Sequence, residues 1–302
     1  MKVLVVGGSG MIGGHAARLL TERGNHVTVA ARGTLGPDSI VAGYPLLVGD
    51  YTDGSFTEAE LAAYDAVVFA AGQDIRHKPR DTDEDEFWDR VQSAGIPQFA
   101  ELCKRAGVRR FVQVGSYYHQ ALPDLVRRDP YVRARSLADE RTRALADADF
   151  NASTLNPPNI IGVVPGVALR RFAKIVKWAD GLLPEVPDFA PAGGTNYLSV
   201  RSLAEAICGA VEHAEAGRAY LLGDENLTFT EFFQLFFDAA GSGRRLEERD
   251  QEHPFLPDSI IVPGRGTVLA YEPDPGDAAL LGYTRHDVRR AVEEIVAQVR
   301  AH

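Results

Sequence analysis

The chain has 302 residues, enough for one large or two moderate domains with a real core. Its 45% hydrophobic and 25% charged residues are those of an ordinary soluble globular protein. A net charge of −10 sets the surface as a whole against nucleic acid and anionic membranes, while local basic spots can still hold a phosphate.

No apolar run reaches the roughly 18 residues of a spanning helix. The start, MKVLVVGGSG, is too short in its apolar stretch, and too soon broken by glycine, to read as a signal peptide. Cys103 and Cys208 stand far apart inside helical patterns, which argues against a disulfide framework and for a reducing cytoplasm. The sequence carries no repeat and no low-complexity tract.

Strand and helix patterns alternate through the first half. KVLVV (2–6) is an apolar strand, followed by helical spacing over 15–23 and a strand over 26–30. A strand at 44–50, a helix at 56–64 and a strand within 65–72 come next. A long helical pattern over 83–106 is interrupted at Gly95 and Pro97. Strand RFVQVGS (110–116), a helix over 131–148 and strand NASTLN (151–156) complete this half. Short, wholly apolar strands alternating with helices predict an α/β fold, a doubly wound parallel sheet of Rossmann type. After Asn156 proline density rises and the alternation weakens. Helices are predicted at 166–180, 201–214, 228–239 and 285–300, and strands at 195–200 and 219–223. The expected division is a dinucleotide-binding domain over 1–156 with 195–223 returning to it, and a smaller, partly interleaved substrate lobe over 157–194 and 224–302.

The first strand runs into Gly7-Gly8-Ser9-Gly10-Met11-Ile12-Gly13 and then into a helix. In this Gly-x-x-Gly-x-x-Gly pattern Gly7 permits the tight turn, Gly10 lets backbone approach a pyrophosphate, and Gly13 lets the helix pack closely on the strand. The helix start offers free N–H donors and the positive end of a dipole. Gly7, Ser9, Gly10, Met11, Ile12 and Gly13 are therefore candidate cofactor contacts. The second strand ends in Ala30, Ala31 and Arg32, with no acid for a ribose 2′-hydroxyl. A guanidinium suits the 2′-phosphate of NADP, so Arg32 favours NADP over NAD.

These motifs make the chain resemble an extended short-chain dehydrogenase/reductase of the NAD(P)-dependent epimerase/dehydratase group. GDYTD (49–53) resembles the family's Asp-x-x-Asp element, whose first acid, here Asp50, meets the adenine. VVFAAG resembles the fourth-strand ending and places Ala70, Ala71 and Gly72 along the cofactor. RFVQVGS resembles the strand that delivers the active-site serine, here Ser116. PYVRARSLADE resembles the segment bearing Tyr-x-x-x-Lys, with Tyr131 in the tyrosine's place. LNPPNIIG (155–162) resembles the Pro-x-Asn stretch beside the nicotinamide, which adds Pro157, Asn159 and Ile160. The resemblance is thinnest beyond about residue 240. It implies a homodimer through the two long helices and a small-molecule substrate; the acidic charge and the lack of a spanning apolar run argue for no nucleic-acid or membrane partner.

The family's chemistry implies that Tyr131 gives or takes the proton of the substrate oxygen while Ser116 holds that oxygen. An ordinary tyrosine, with a pKa near about 10, is a poor base at neutral pH, and a neighbouring cation helps its phenolate. Two departures stand out: Arg135 replaces the lysine, and Gln92 falls where an asparagine is common. Arginine keeps its proton and carries a planar fork in place of a compact ammonium. The same spacing also permits Arg135 to be a solvent arginine paired with Asp139 at i+4. Tyr117, Tyr118 and His119 read as pocket wall, or as a source of a substitute acid. Asp81, Asp83 and Asp85 are spaced like calcium ligands, but the pattern lacks the later glycine and glutamate, so these acids read as a helix start. No histidine or cysteine spacing suggests a metal. Arg170, Arg171, Lys174 and Lys177 form a basic helical surface, read as a solvated face.

Three functions follow as expectations. The first is an NADP-dependent oxidoreductase acting on a carbonyl or alcohol. The second is a nucleotide-sugar epimerase or dehydratase that retains NAD. The third is a non-catalytic, NmrA-like cofactor sensor.

Overall fold

The computed structural model describes residues 1–75, 78–79, 81–164 and 170–301, with Arg170 described by its backbone alone. Its strands, in chain order, are β1 (Lys2–Val6), β2 (His26–Ala31), β3 (Leu46–Val48), β4 (Ala66–Phe69), β5 (Arg110–Val114), β6 (Asn151–Asn156), β7 (Asn159–Ile161), β8 (Phe189–Pro191), β9 (Gly194–Ser199), β10 (Ala219–Leu221), β11 (Glu225–Thr228) and β12 (Glu247–Arg249). The chain divides into two compact units. The first holds residues 1–157, 201–222 and 273–283; the second holds 158–200, 223–272 and 284–302.

The first unit is built on a parallel sheet in the order β10-β6-β5-β4-β1-β2-β3. β4 is buried at every position, and β1 and β5 at all but their first, as strands covered on both faces must be. Alternation sends Leu4, Val6, Val67, Phe69, Phe111 and Ala152 to one face. There they pack with Ile96, Phe99, Ala100 and Cys103 of helix Gly95–Arg105. Phe69 stacks on Phe111 at 6.1 Å and meets Phe99 at 5.8 Å. Helix Met11–Glu22 turns Gly13, Gly14, Ala16, Ala17 and Leu20 inward.

The helical pattern over 83–106 breaks earlier than expected. Helix Glu84–Trp88 passes into a π-helical stretch, Asp89–Ser93, marked by the Ala94 N–H donating to the Asp89 carbonyl at 2.9 Å. Helix Gly95–Arg105 then runs through Pro97, which sits in the first turn where no N–H is needed. Gly95 is what the wide turn demands: a Cβ there would stand 2.0 Å from the Arg90 carbonyl oxygen. Asp83 caps the helix start by accepting from the Glu86 N–H at 2.9 Å, and Glu84, Asp85 and Glu86 fill the first turn.

The second unit has its own small sheet, β11-β9-β7, and a β12-β8 pair. Its core gathers around helix Phe229–Ala239, whose Phe229, Phe232, Phe233, Phe236 and Phe237 follow helical spacing and are buried. Each such ring contributes roughly 1.5–3 kcal/mol through burial. Trp178 packs edge-on to Phe237 at 4.7 Å. Asp224 and Glu225 accept from backbone N–H groups of His286, Asp287 and Val288, and so start helix Val288–Arg300.

Two boundaries differ from the expected division. β9, expected to return to the first sheet, pairs with β7 and β11 in the second unit, and the return begins at residue 201. Residues 273–283, expected in the lobe, belong to the first unit. There Leu281 packs so tightly on Gly209 that a Cβ would lie 2.1 Å from the Leu281 carbonyl oxygen. The expected start of helix 166–180 lies outside the described residues; the helix is described from Arg170 to Ala179. Among the described residues no helix is long and apolar enough to cross a membrane.

Candidate active site

The order of the first sheet reverses between β1 and β4, the place where open α/β sheets form a crevice at their carboxyl ends. Gly7 ends β1 there with φ +81°, a left-handed conformation that glycine adopts without strain. A Cβ on Gly7 would stand 2.8 Å from Ala70, at the end of β4. Gly13 lies against the same turn, 2.3 Å from the Gly7 oxygen by the same measure. Gly10 differs: only the Gly7 oxygen, at 3.3 Å, approaches its open side. Gly10 is also the N-cap of helix Met11–Glu22, with no side-chain cap and no acid in the first turn. Ser9 and Gly10 are exposed, and Met11 and Ile12 half-buried. The helix start thus keeps N–H donors turned outward, ready for an anion. Gly8 has a purely packing reason: a Cβ there would meet the Val29 side chain at 2.6 Å.

Arg32 is exposed at the end of β2. Asp50, beyond β3, accepts at Oδ1 from the Thr52 N–H at 2.9 Å and the Thr52 hydroxyl at 2.8 Å, which fixes its carboxylate in a turn. Tyr51 donates to the Val91 carbonyl at 2.7 Å. Burial pushes its phenol well above the usual tyrosine value, against the opposing pull of Arg135, Arg32 and Arg90.

Tyr131 and Arg135 lie one turn apart on helix Pro130–Arg143, which begins with Asp129 as N-cap and proline at its first position. Both are buried, each 6% exposed. The Arg135 Nε donates to the Tyr131 hydroxyl at 3.2 Å, and its Nη2 to the Gln73 carbonyl at 2.9 Å. Gln92, from the π-helical stretch, donates to the same Gln73 carbonyl at 2.6 Å. Arg135 is therefore neither solvated nor paired with Asp139. Gly72 makes room for it, since a Cβ there would meet the guanidinium at 2.8 Å. Trp88 packs on the Tyr131 ring at 5.0 Å, and Tyr118 approaches it at 6.4 Å. Burial, with Tyr117, Tyr131 and Asp129 nearby, holds the Tyr118 phenol well above its usual value, so it stays protonated.

Ser116 follows β5 and is 6% exposed. Its N–H donates to Asn156 Oδ1 at 3.1 Å. The Tyr117 N–H donates to the Pro157 carbonyl at 3.3 Å, drawing the ends of β5 and β6 together. Asp139, on the Tyr131–Arg135 face of the helix, accepts from Asn156 Nδ2 at 3.1 Å, from Arg143 at 2.7 Å and from the Thr154 hydroxyl. The His119 Nε2 stands 3.7 Å from its other side. Burial alone would raise this carboxyl; the neighbouring His119 ring and the hydrogen bonds from Arg143 and Thr154 outweigh it and hold Asp139 well below the ordinary carboxylate range.

The glycine loop, Ala70, Ala71, Gly72, Ser116, Tyr131, Arg135 and Pro157 thus all belong to the first unit. Asn159 and Ile160 begin β7 of the second unit, where the Asn159 amide reaches the Thr195 hydroxyl at 3.3 Å. Sequence reasoning missed Asp139 and Asn156 as groups tied to Ser116. The available signals were the i, i+4, i+8 series Tyr131–Arg135–Asp139 and a polar residue closing an otherwise buried strand.

Residues 3–223 match the model of the NAD dependent epimerase/dehydratase family. A 2-alkyl-3-oxoalkanoate reductase of Stenotrophomonas maltophilia is 26% identical over 262 residues, covering 81% of this chain and 77% of that protein. Among solved structures, a UDP-glucose-4-epimerase from Stenotrophomonas maltophila with bound NAD aligns at TM-score 0.70 and 21% identity, over 100% of this chain and 98% of that one. A UDP-N-acetylglucosamine 4-epimerase from Bacillus cereus aligns at TM-score 0.73 and 17% identity, over 99% of both chains. At these identities the two structures bear on the fold alone.

Proposed function

Because the chain belongs to the NAD dependent epimerase/dehydratase family, we propose that it is an NADP-dependent oxidoreductase acting on a carbonyl or alcohol of a small organic substrate. The observation that carries this reading is the buried Tyr131–Arg135 pair, a hydroxyl with a fixed cation at 3.2 Å. The glycine turn fits a dinucleotide: its crowded glycines, Gly7 and Gly13, shape it, and Gly10 is left open at an uncapped helix start. Gly10 and the N–H groups around Met11 and Ile12 would receive the pyrophosphate, Arg32 the 2′-phosphate and Asp50 the adenine. Bound NADP(H) supplies or accepts the hydride.

In the reductive direction the Ser116 hydroxyl donates a hydrogen bond to the substrate oxygen, and Tyr131 passes it a proton. The negative charge that gathers on the Tyr131 oxygen is stabilised by the Arg135 guanidinium. The Gln73 carbonyl anchors that guanidinium, so little reorganisation accompanies the proton's departure. Arginine does not give up its proton, so Tyr131 is reprotonated without passage through residue 135. Tyr118, kept protonated, serves as a wall and donor rather than a base.

The relative named a reductase of 2-alkyl-3-oxoalkanoates makes β-keto acids the first substrates to try. NADPH oxidation over a panel of such carbonyls, with NADH as comparison, tests the reading. Turnover with NADPH is expected, and Tyr131→Phe should lower it by about 10²- to 10⁴-fold. No oxidation across the panel, or full activity in Tyr131→Phe, overturns it. Co-purified NAD with turnover of nucleotide sugars would replace it by the epimerase reading.

A further inference from the structure

A buried hydrogen-bond chain runs from Asp139 to the backbone of Ser116. Asp139 is 1% exposed and Asn156 is fully buried. Asn156 directs its Nδ2 to two acceptors, Asp139 Oδ1 at 3.1 Å and Gln120 Oε1 at 2.8 Å. Its Oδ1 receives the Ser116 N–H at 3.1 Å. The same oxygen occupies the space beside Gly115, where a Cβ would stand only 2.1 Å away. An asparagine amide is nearly symmetric in shape but not in polarity. Turned over, it would set an NH2 against the Ser116 N–H and face its oxygen to a carboxylate.

We propose that Asp139 is a positioning residue: through Asn156 it locks the Gly115–Ser116 turn and so fixes where the Ser116 hydroxyl points. The groups facing Asp139 suit a permanent anion. Arg143 on its own helix binds it with Nε and Nη2, the Thr154 hydroxyl donates from β6, and the His119 ring lies beside it. The negative charge in turn selects one orientation of the Asn156 amide. Asn156 then presents an acceptor, and only an acceptor, to Ser116. The catalytic consequence rests on the oxidoreductase reading above; the conformational one does not.

The test uses the full chain and two readouts. Amide hydrogen exchange at Ser116, followed by NMR, reads the clamp directly. In the wild-type chain this amide should be protected. In Asp139→Asn and in Asn156→Ala its exchange should rise by about tenfold or more, while Val112 and Val114 in β5 stay unchanged. In steady-state kinetics both variants should lose about 10- to 100-fold in kcat, with KM for NADPH nearly unchanged. A Ser116 amide unprotected in the wild-type chain overturns the proposal, as does unaltered exchange in either folded variant. Should Asp139→Asn fail to fold, Asn156→Ala decides, because it leaves the Asp139–Arg143 pair in place. If the chain reduces no carbonyl, the exchange result still stands, so failure of the clamp and failure of the function are told apart.

Discussion

Arg135 is held at three points, by the Tyr131 hydroxyl, the Gln73 carbonyl and the close face of Gly72. That arrangement predicts how substitutions at 135 behave. A lysine keeps the charge but replaces the planar fork, whose Nε and Nη2 serve the two acceptors separately, with a single nitrogen. Arg135→Lys should retain turnover within about tenfold, whereas Arg135→Met, which removes the cation and leaves the Gln73 carbonyl to Gln92 alone, should lose about a hundredfold or more. Steady-state kinetics with NADPH would measure both. The placement of Ser116 behind a strand and of Tyr131 at a helix start was legible because short local patterns, a strand running into Gly-Ser and a helix opening on Pro-Tyr, carry them. Arg135 was only half legible. Helical spacing offers it Tyr131 at i−4 and Asp139 at i+4 with equal ease, and what decides is the backbone beyond β4, distant in sequence. Asp139 meanwhile takes Arg143, its own i+4 neighbour, together with Thr154 and Asn156 across the sheet. Its depressed pKa has a pH consequence. Its stabilising effect is complete above the unfolded carboxyl's pKa, about 4, and is lost as pH falls toward the lower folded value. Urea unfolding from about pH 4 downward should therefore show a steeper loss of stability in the wild-type chain than in Asp139→Asn.

At the scale of elements, the glycine turn separates two kinds of glycine that the sequence pattern lists alike. Gly13 is fixed by protein backbone at 2.3 Å, and Gly10 meets only the Gly7 carbonyl oxygen, at 3.3 Å. Gly13→Ala should destabilise the chain by roughly 1–3 kcal/mol, because neither the helix nor the Gly7 turn can yield to the new methyl. Gly10→Ala should leave thermal stability nearly unchanged but weaken NADPH binding. Differential scanning fluorimetry and a cofactor titration would read the two effects apart. The sheet's strands were legible because full burial leaves an apolar signature. The π-helical stretch was not: Gly95 and Pro97 signal an interruption, and only the position of the Arg90 carbonyl shows that the wide turn precedes them. Its effect is local and specific, since it carries Gln92 to the carbonyl that also holds Arg135. β7, β8, β11 and β12 escaped detection because runs of three or four residues, several partly exposed, leave little periodicity to read.

Across the whole molecule, the parallel sheet was foreseeable from alternation, but its membership was not. β10 pairs with β6 although about sixty residues separate them, and helix Pro275–Leu281 joins the first unit from later still. A chain ending at Pro157 should therefore not fold as an independent domain. It would lack β10, helix Val200–His213 and helix Pro275–Leu281. Circular dichroism and proteolysis of such a fragment should show an unfolded or loosely collapsed chain, whereas a stable, cooperatively melting fragment would contradict this.

That arrangement bears on how the protein is made. During synthesis β6 emerges with one edge unpaired, and it must wait while the ribosome adds some sixty more residues before β10 can close it. Through that interval the nascent sheet ends in a buried-type strand with free N–H and C=O groups, a template for pairing with another chain. Heating or slow translation through 157–218 should thus expose the same edge and set the chain's tendency to aggregate.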